Sequence, residues 1–129
     1  MRFTRTILAL LLAVTAGAVS LATVDATPAA AATCHRWAAN HGSDAAAGTQ
    51  AAPVRTLGAL ARRLAPGETG CLQGGVTYDA TGGAGIVDGG GQPGNPITIR
   101  SGGGGRATLV GWIHAKPTAH DIVFTDLFF

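Results

Sequence analysis

The chain has 129 residues, nine Lys or Arg against seven Asp or Glu, a formal net charge of +2 and a mean hydropathy of +0.29. That length supports one small domain with a modest core, and no block of like charge marks it for nucleic acid or an anionic membrane. Almost all of the 20 glycines fall after residue 32, which calls for many turns and little helix.

Met1, Arg2 and Arg5 make a short basic start, and Ile7 to Leu21 is uncharged and rich in Leu, Ala and Val. Ala30 and Ala32 then have the spacing of an A-x-A cleavage site, so residues 1–32 read as a secretory signal peptide and the remainder as an extracellular protein without stable membrane insertion. An uncleaved anchor is the competing reading, weakened by the Ala, Gly, Ser and Thr in the second half of the apolar run. The segment before Cys34 is a poor lipoprotein box, lacking an upstream Leu and carrying Thr33 where Gly or Ala is wanted.

Cys34 and Cys71 are the two cysteines, and an oxidising compartment favours a bridge between them. Two thiols paired with other chains or buried singly remain the alternative. Two isolated cysteines with no His at finger spacing do not form a zinc site.

In chain order, a short strand is expected around Trp37, followed by a loop shaped by Gly42, Asp44, Gly48 and Pro53. Asp44 fits an Asx-turn residue better than a calcium ligand, since it is the loop's one carboxylate. Leu57, Leu60, Ala61 and Leu64 then recur at helical spacing, with Thr56 placed to cap and Pro66-Gly67 to stop. Arg62 and Arg63 are expected on the solvated face of this helix. Four strand-like runs follow, "CLQGGVTY" from Cys71, "PITIR" from Pro96, "ATLVGWIHA" from Ala107 and "DIVFTDLFF" from Asp121. Cys71 to Pro96 and Pro96 to Asp121 are each 25 residues, with glycine-rich turns between, the mark of a β-solenoid.

Taken together, "GSDAAAGT", "PVRTLGAL", "LAPGETGCLQGGVTY", "GQPGNPITIRS" and "HDI" resemble the opening of secreted right-handed parallel β-helix proteins of the pectate-lyase-like kind. The matching positions run from Gly42, Ser43 and Asp44 through Thr56, Pro66, Gly67, Thr77 and Tyr78 to Asn95, Pro96, His120 and Asp121. The resemblance implies an all-β fold: a cap over residues 33–70 with a short helix, then the first coils of the solenoid over 71–129, with more coils to follow. The helix would cover an otherwise exposed solenoid end, held down by the Cys34–Cys71 bridge. Val76 is one residue more than the pattern wants before Thr77, which calls for a bulge or a shifted register. Glu68 stands where the pattern more often has Asp.

For function, the resemblance implies enzymes acting on polysaccharides, chiefly polyuronide lyases and glycoside hydrolases. Their catalytic groups, and the Ca²⁺ that lyases use, sit on later coils. This chain is expected to lack the active site and to need no cofactor. Lys116 is the sole lysine and lies beside Pro117, and Asp121 and Asp126 are spaced to face opposite sides of one strand. His35, His41, His114 and His120 lack partners at ligand spacing. "SGGGGRA" matches a dinucleotide fingerprint in letters, but the β-branched, Pro-stopped segment after it has no room for the required helix. Three functions stay in view: a polysaccharide lyase or hydrolase, a non-catalytic carbohydrate-binding or surface β-helix, and a small disulfide-bonded binding module. The apolar tail from Ile122 to Phe129 is expected to offer an open edge for self-association.

Overall fold

The computed structural model describes residues 33–129, and the signal-peptide reading of residues 1–32 lies outside the described residues. The elements are β1 (Arg36–Ala38), α1 (Leu57–Ala61), β2 (Thr69–Leu72), β3 (Thr77–Asp79), a 3₁₀ turn (Gly82–Gly85), β4 (Ile86–Val87), β5 (Ile97–Ser101), β6 (Ala107–Val110), β7 (His114–Ala115), β8 (Ile122–Thr125) and β9 (Leu127–Phe128). They build three parallel sheets ordered β1-β2-β5-β8, β3-β6-β9 and β4-β7. The chain therefore visits the three sheets in turn, through β2, β3 and β4, then β5, β6 and β7, then β8 and β9. Each visit lays a strand beside the one before it.

The alternation of side chains follows from the pleat. In β5, Ile97, Ile99 and Ser101 are buried while Thr98 and Arg100 lie between the interior and solvent. Tyr78 in β3 and Ala107 and Leu109 in β6 point the same way, and with Leu72 and Val87 they fill the space between the sheets. The interior is closed at one end by α1, all of whose residues are buried. Leu60 and Leu64 lie over Gly70 of β2, where an added Cβ would meet Leu64 Cδ1 at 2.9 Å and Leu60 Cγ at 3.0 Å. A residue without a side chain there lets the helix sit down on the sheet. Thr56 caps α1 in extended conformation, its Oγ1 accepting from the Ala59 N–H at 3.1 Å. Cys34 and Cys71 form a disulfide with a Cα–Cα distance of 5.6 Å, joining the segment before β1 to the middle of β2.

Several expectations need correction. The helix is shorter than its leucine spacing suggested, because after Arg62 the backbone tightens, with the Arg63 N–H donating to Leu60 and the Leu64 N–H to Ala61. Three of the strand-like runs each bend at a corner into two strands belonging to different sheets. The spacing is also uneven: Ile97 pairs with Ile122 at the expected 25 residues, but Thr69 pairs with Thr98, 29 residues on. Extra length is absorbed in the corners, which carry no ladder to disturb. Val76 falls in such a corner, half-buried against the core, and starts a regular in-out alternation through Thr77, Tyr78, Asp79 and Ala80. Glu68 accepts the Ala65 N–H at 2.9 Å across the Pro66-Gly67 turn, a reach that suits its longer side chain. Among the described residues, no helix is long and apolar enough to cross a membrane.

Candidate functional site

The loop between β1 and α1 is held by one carboxylate. Asp44 Oδ1 accepts from the N–H groups of Arg55 at 2.9 Å and Thr56 at 2.8 Å, and Oδ2 accepts from Thr56 Oγ1 at 2.9 Å. Burial would raise its pKa, but the hydrogen bonds from Thr56 and Arg55, with the Arg62 charge, outweigh this and hold it below the usual carboxylate value. Asp44 is thus a cap reaching 11 and 12 residues along the chain rather than a local Asx turn. Its two oxygens together accept three hydrogen bonds from the protein. Arg63 also leaves the solvated face expected for it, donating to the carbonyls of Ala59 and Asp44 at 3.0 and 2.6 Å. Arg62 is exposed, as its helix position predicts.

This loop and β3 enclose a cleft of about 270 Å³. Its floor includes Leu57, Ala80 and Leu109, and Asn40, Arg55, Thr77 and Asp79 stand around it. Arg55 is oriented by donation from Nε to the Gly42 carbonyl at 3.0 Å. Asp79 accepts from the Thr81 N–H at 2.8 Å, and its hydrogen bonds with Thr81 hold its pKa below the ordinary value. It is therefore ionised at neutral pH and unsuited to act as a general acid. The cleft can hold a ligand by polar contacts over an apolar floor. A second cavity, of about 210 Å³, opens beside Trp37 and β1.

The polar residues weighed from sequence are dispersed. Lys116 Nζ meets Asp88 Oδ2 at 2.8 Å, and Thr118 donates to the other oxygen, so the ammonium is engaged by a carboxylate. Asp88 is held below its usual pKa by the hydrogen bonds from Lys116 and Thr118. Asp121 and Asp126 do not share one regular strand: they flank β8 at corners with φ of 49° and 55°. Asp126 pairs with Arg106 at 2.9 Å, and Arg106 lies 5.1 Å from the Phe128 ring centroid. Asp121 meets His120 Nδ1 at 3.0 Å. His35 has a structural contact that its spacing did not reveal, accepting the Thr69 N–H at 3.0 Å. Among the described residues, no three His, Cys, Asp or Glu side chains gather to hold a metal ion. Asn40, Arg55 and Asp79 were not singled out from sequence. Only the Asp79-Ala80-Thr81 turn carries a local signal, that of a side chain accepting from the N–H two residues on.

No protein-family profile matches the chain, and no curated protein matches it. Among solved structures it is similar to a rhamnogalacturonan lyase, with 17% sequence identity, a TM-score of 0.53, and coverage of 71% of this chain and 27% of that one. A crystal structure of the GH136 lacto-N-biosidase from Eubacterium ramulus overlaps 57% of this chain and 12% of its own, at 28% identity and a TM-score of 0.46. The first likeness is one of fold, and the chain spans about a quarter of that lyase's length.

Proposed function

We propose that residues 33–129 are the cap and first coils of a right-handed parallel β-helix in an exported protein that engages polysaccharide. The observation that carries this reading is the in-register return of the chain to three parallel sheets under a leucine-lined cap helix. A solenoid buries its interior by stacking each coil on the last, and its end must be covered. The likeness in fold to a rhamnogalacturonan lyase supports a polyuronide or related glycan as the polymer recognised. The Cys34–Cys71 bridge fits an oxidising, extracellular setting.

The residues described here serve the fold and contact with glycan, and turnover, together with any Ca²⁺ it uses, belongs to further coils of the longer protein. A purely binding role is the second reading, favoured by the dispersal of Asp88, Asp121 and Asp126 into separate structural pairs. The test is affinity electrophoresis of the full chain in gels containing rhamnogalacturonan, polygalacturonan or a neutral galactan, beside assays for unsaturated uronide and reducing-sugar release. Retardation without turnover is expected. Unchanged mobility in every gel would refute glycan engagement, and turnover in either assay would refute the assignment of catalysis to other coils.

A further inference from the structure

We propose that the cavity beside β1 is a subsite for one uncharged sugar ring, stacked on Trp37. The inference rests on the glycan reading above and adds a place and a ligand class to it. Trp37 is the central residue of β1, and Cys71 of β2 stands opposite it in the ladder. The far edge of its indole lies against Gly102, where any added Cβ would overlap ring atoms Cζ3 and Cη2. That edge of the ring thereby rests on backbone, and Trp37 as a whole is half-buried. His41, Gln50 and Gln73, all exposed, stand around the same cavity with Pro53.

The lining is a Trp, an imidazole, two carboxamides, a proline and two alanines, with no Asp, Glu, Lys or Arg. The indole offers a flat apolar area at low entropic cost, matching the C–H face of a pyranose. The carboxamides both donate and accept, as hydroxyl groups do. A uronate carboxylate would lose water here without meeting a Lys or Arg, so the lining favours a neutral ring. At about 210 Å³, the cavity is of a size to seat one pyranose ring. The cleft under α1 differs, since Arg55 and Asp79 stand around it.

Trp37 and Trp112 are the two tryptophans, and Trp112 is 82% exposed, so Trp112→Phe isolates the Trp37 emission with little structural cost. In that background, galactose, rhamnose, xylose and glucose, with galacturonate as the charged comparison, are titrated against the full oxidised chain. A saturable emission shift is expected with at least one neutral sugar, half-complete at about 1 mM, as befits a small open site. Gln50→Ala and Gln73→Ala should each weaken it roughly 3- to 10-fold. Both lie on the surface, so a folding defect is not expected, and unchanged melting confirms that the loss is one of binding. No saturable shift with any neutral sugar, a shift untouched by both substitutions, or tighter binding of galacturonate would overturn the proposal. Polysaccharide gels run in parallel separate the two claims. Retardation with a silent Trp37 removes the subsite and leaves glycan engagement standing. A neutral-sugar shift without retardation supports the subsite and removes polymer binding.

Discussion

Two side chains show how single residues fasten the loop and corner backbone. Asp44 satisfies two N–H groups at the entry to α1 and the hydroxyl that caps it, so Asp44→Ala should cost about 1 kcal/mol, the usual scale for a cap. Its folded pKa lies below its ordinary value of 3.8. The stabilisation is therefore complete above the unfolded pKa and is lost as pH falls through the depressed folded one. Urea melts of wild type and Asp44→Ala should differ at pH 7 and converge once the pH falls below the depressed folded pKa, and EDTA should shift neither, since the carboxylate acts by accepting from the Arg55 and Thr56 N–H groups and the Thr56 hydroxyl. Tyr78 makes a different attachment. Its buried hydroxyl donates to the Ala38 carbonyl at 3.0 Å, and burial pushes its pKa up to about 12. Stability from the neutral phenol is full below about pH 10 and declines as pH rises toward 12. Absorbance titration should place the phenolate transition near 12 in folded protein and near 10 in urea. Tyr78→Phe should cost about 1 kcal/mol.

At the scale of elements, the cap is held from two sides, by leucine packing above and by the disulfide beside it. The bridge closes a sequence separation of 37, which in the chain-entropy model restricts the unfolded chain by about 4 kcal/mol. Cys34→Ser with Cys71→Ser should lower the denaturant midpoint accordingly, and the wild-type chain should yield no alkylatable thiol before reduction. The helix contributes through Leu57 and Leu60, both fully buried, and through the close approach of Leu60 and Leu64 to Gly70. Gly70→Ala should therefore unseat α1 and cost about 1–3 kcal/mol by overpacking. Circular dichroism would read the loss of the short helix, and hydrogen exchange should rise first at Leu60 and Ala61.

Across the whole molecule, stability comes from side chains that recur on the same inner face as the chain returns to each sheet. Ile99 sits opposite Gly70 on one side and Phe124 on the other, while Val123 of the neighbouring strand is 43% exposed. Ile99→Ala should cost about 2–5 kcal/mol and lower the melting temperature of the entire unit, because its cavity lies between two layers. Val123→Ala should change stability by no more than about 0.5 kcal/mol. Equal losses at the two sites, measured by urea unfolding, would contradict the inside-outside assignment of β5 and β8.

The sequence by itself determined the elements with a local period: the position of α1 from Leu57, Leu60 and Ala61, though not its end short of Leu64, its cap from Thr56, and β5 from the alternation of Ile97 and Ile99. Both signals repeat within a few residues, so neighbours suffice to express them. Only the tertiary structure decided where each strand-like run bends, since the corners are built from glycines and turn residues that carry no period, and a residue more or less there leaves the ladders intact. It alone set the 29-residue first interval in the sheet containing β2 and β5, and placed Asp44 beneath Thr56. The two cavities belong to the same category. Asn40 and Asp79 line one cavity, and Trp37 and Gln73 the other, across chain separations that no local spacing rule spans. Such meetings depend on the way successive strands stack, a property of the packed interior and not of any one segment.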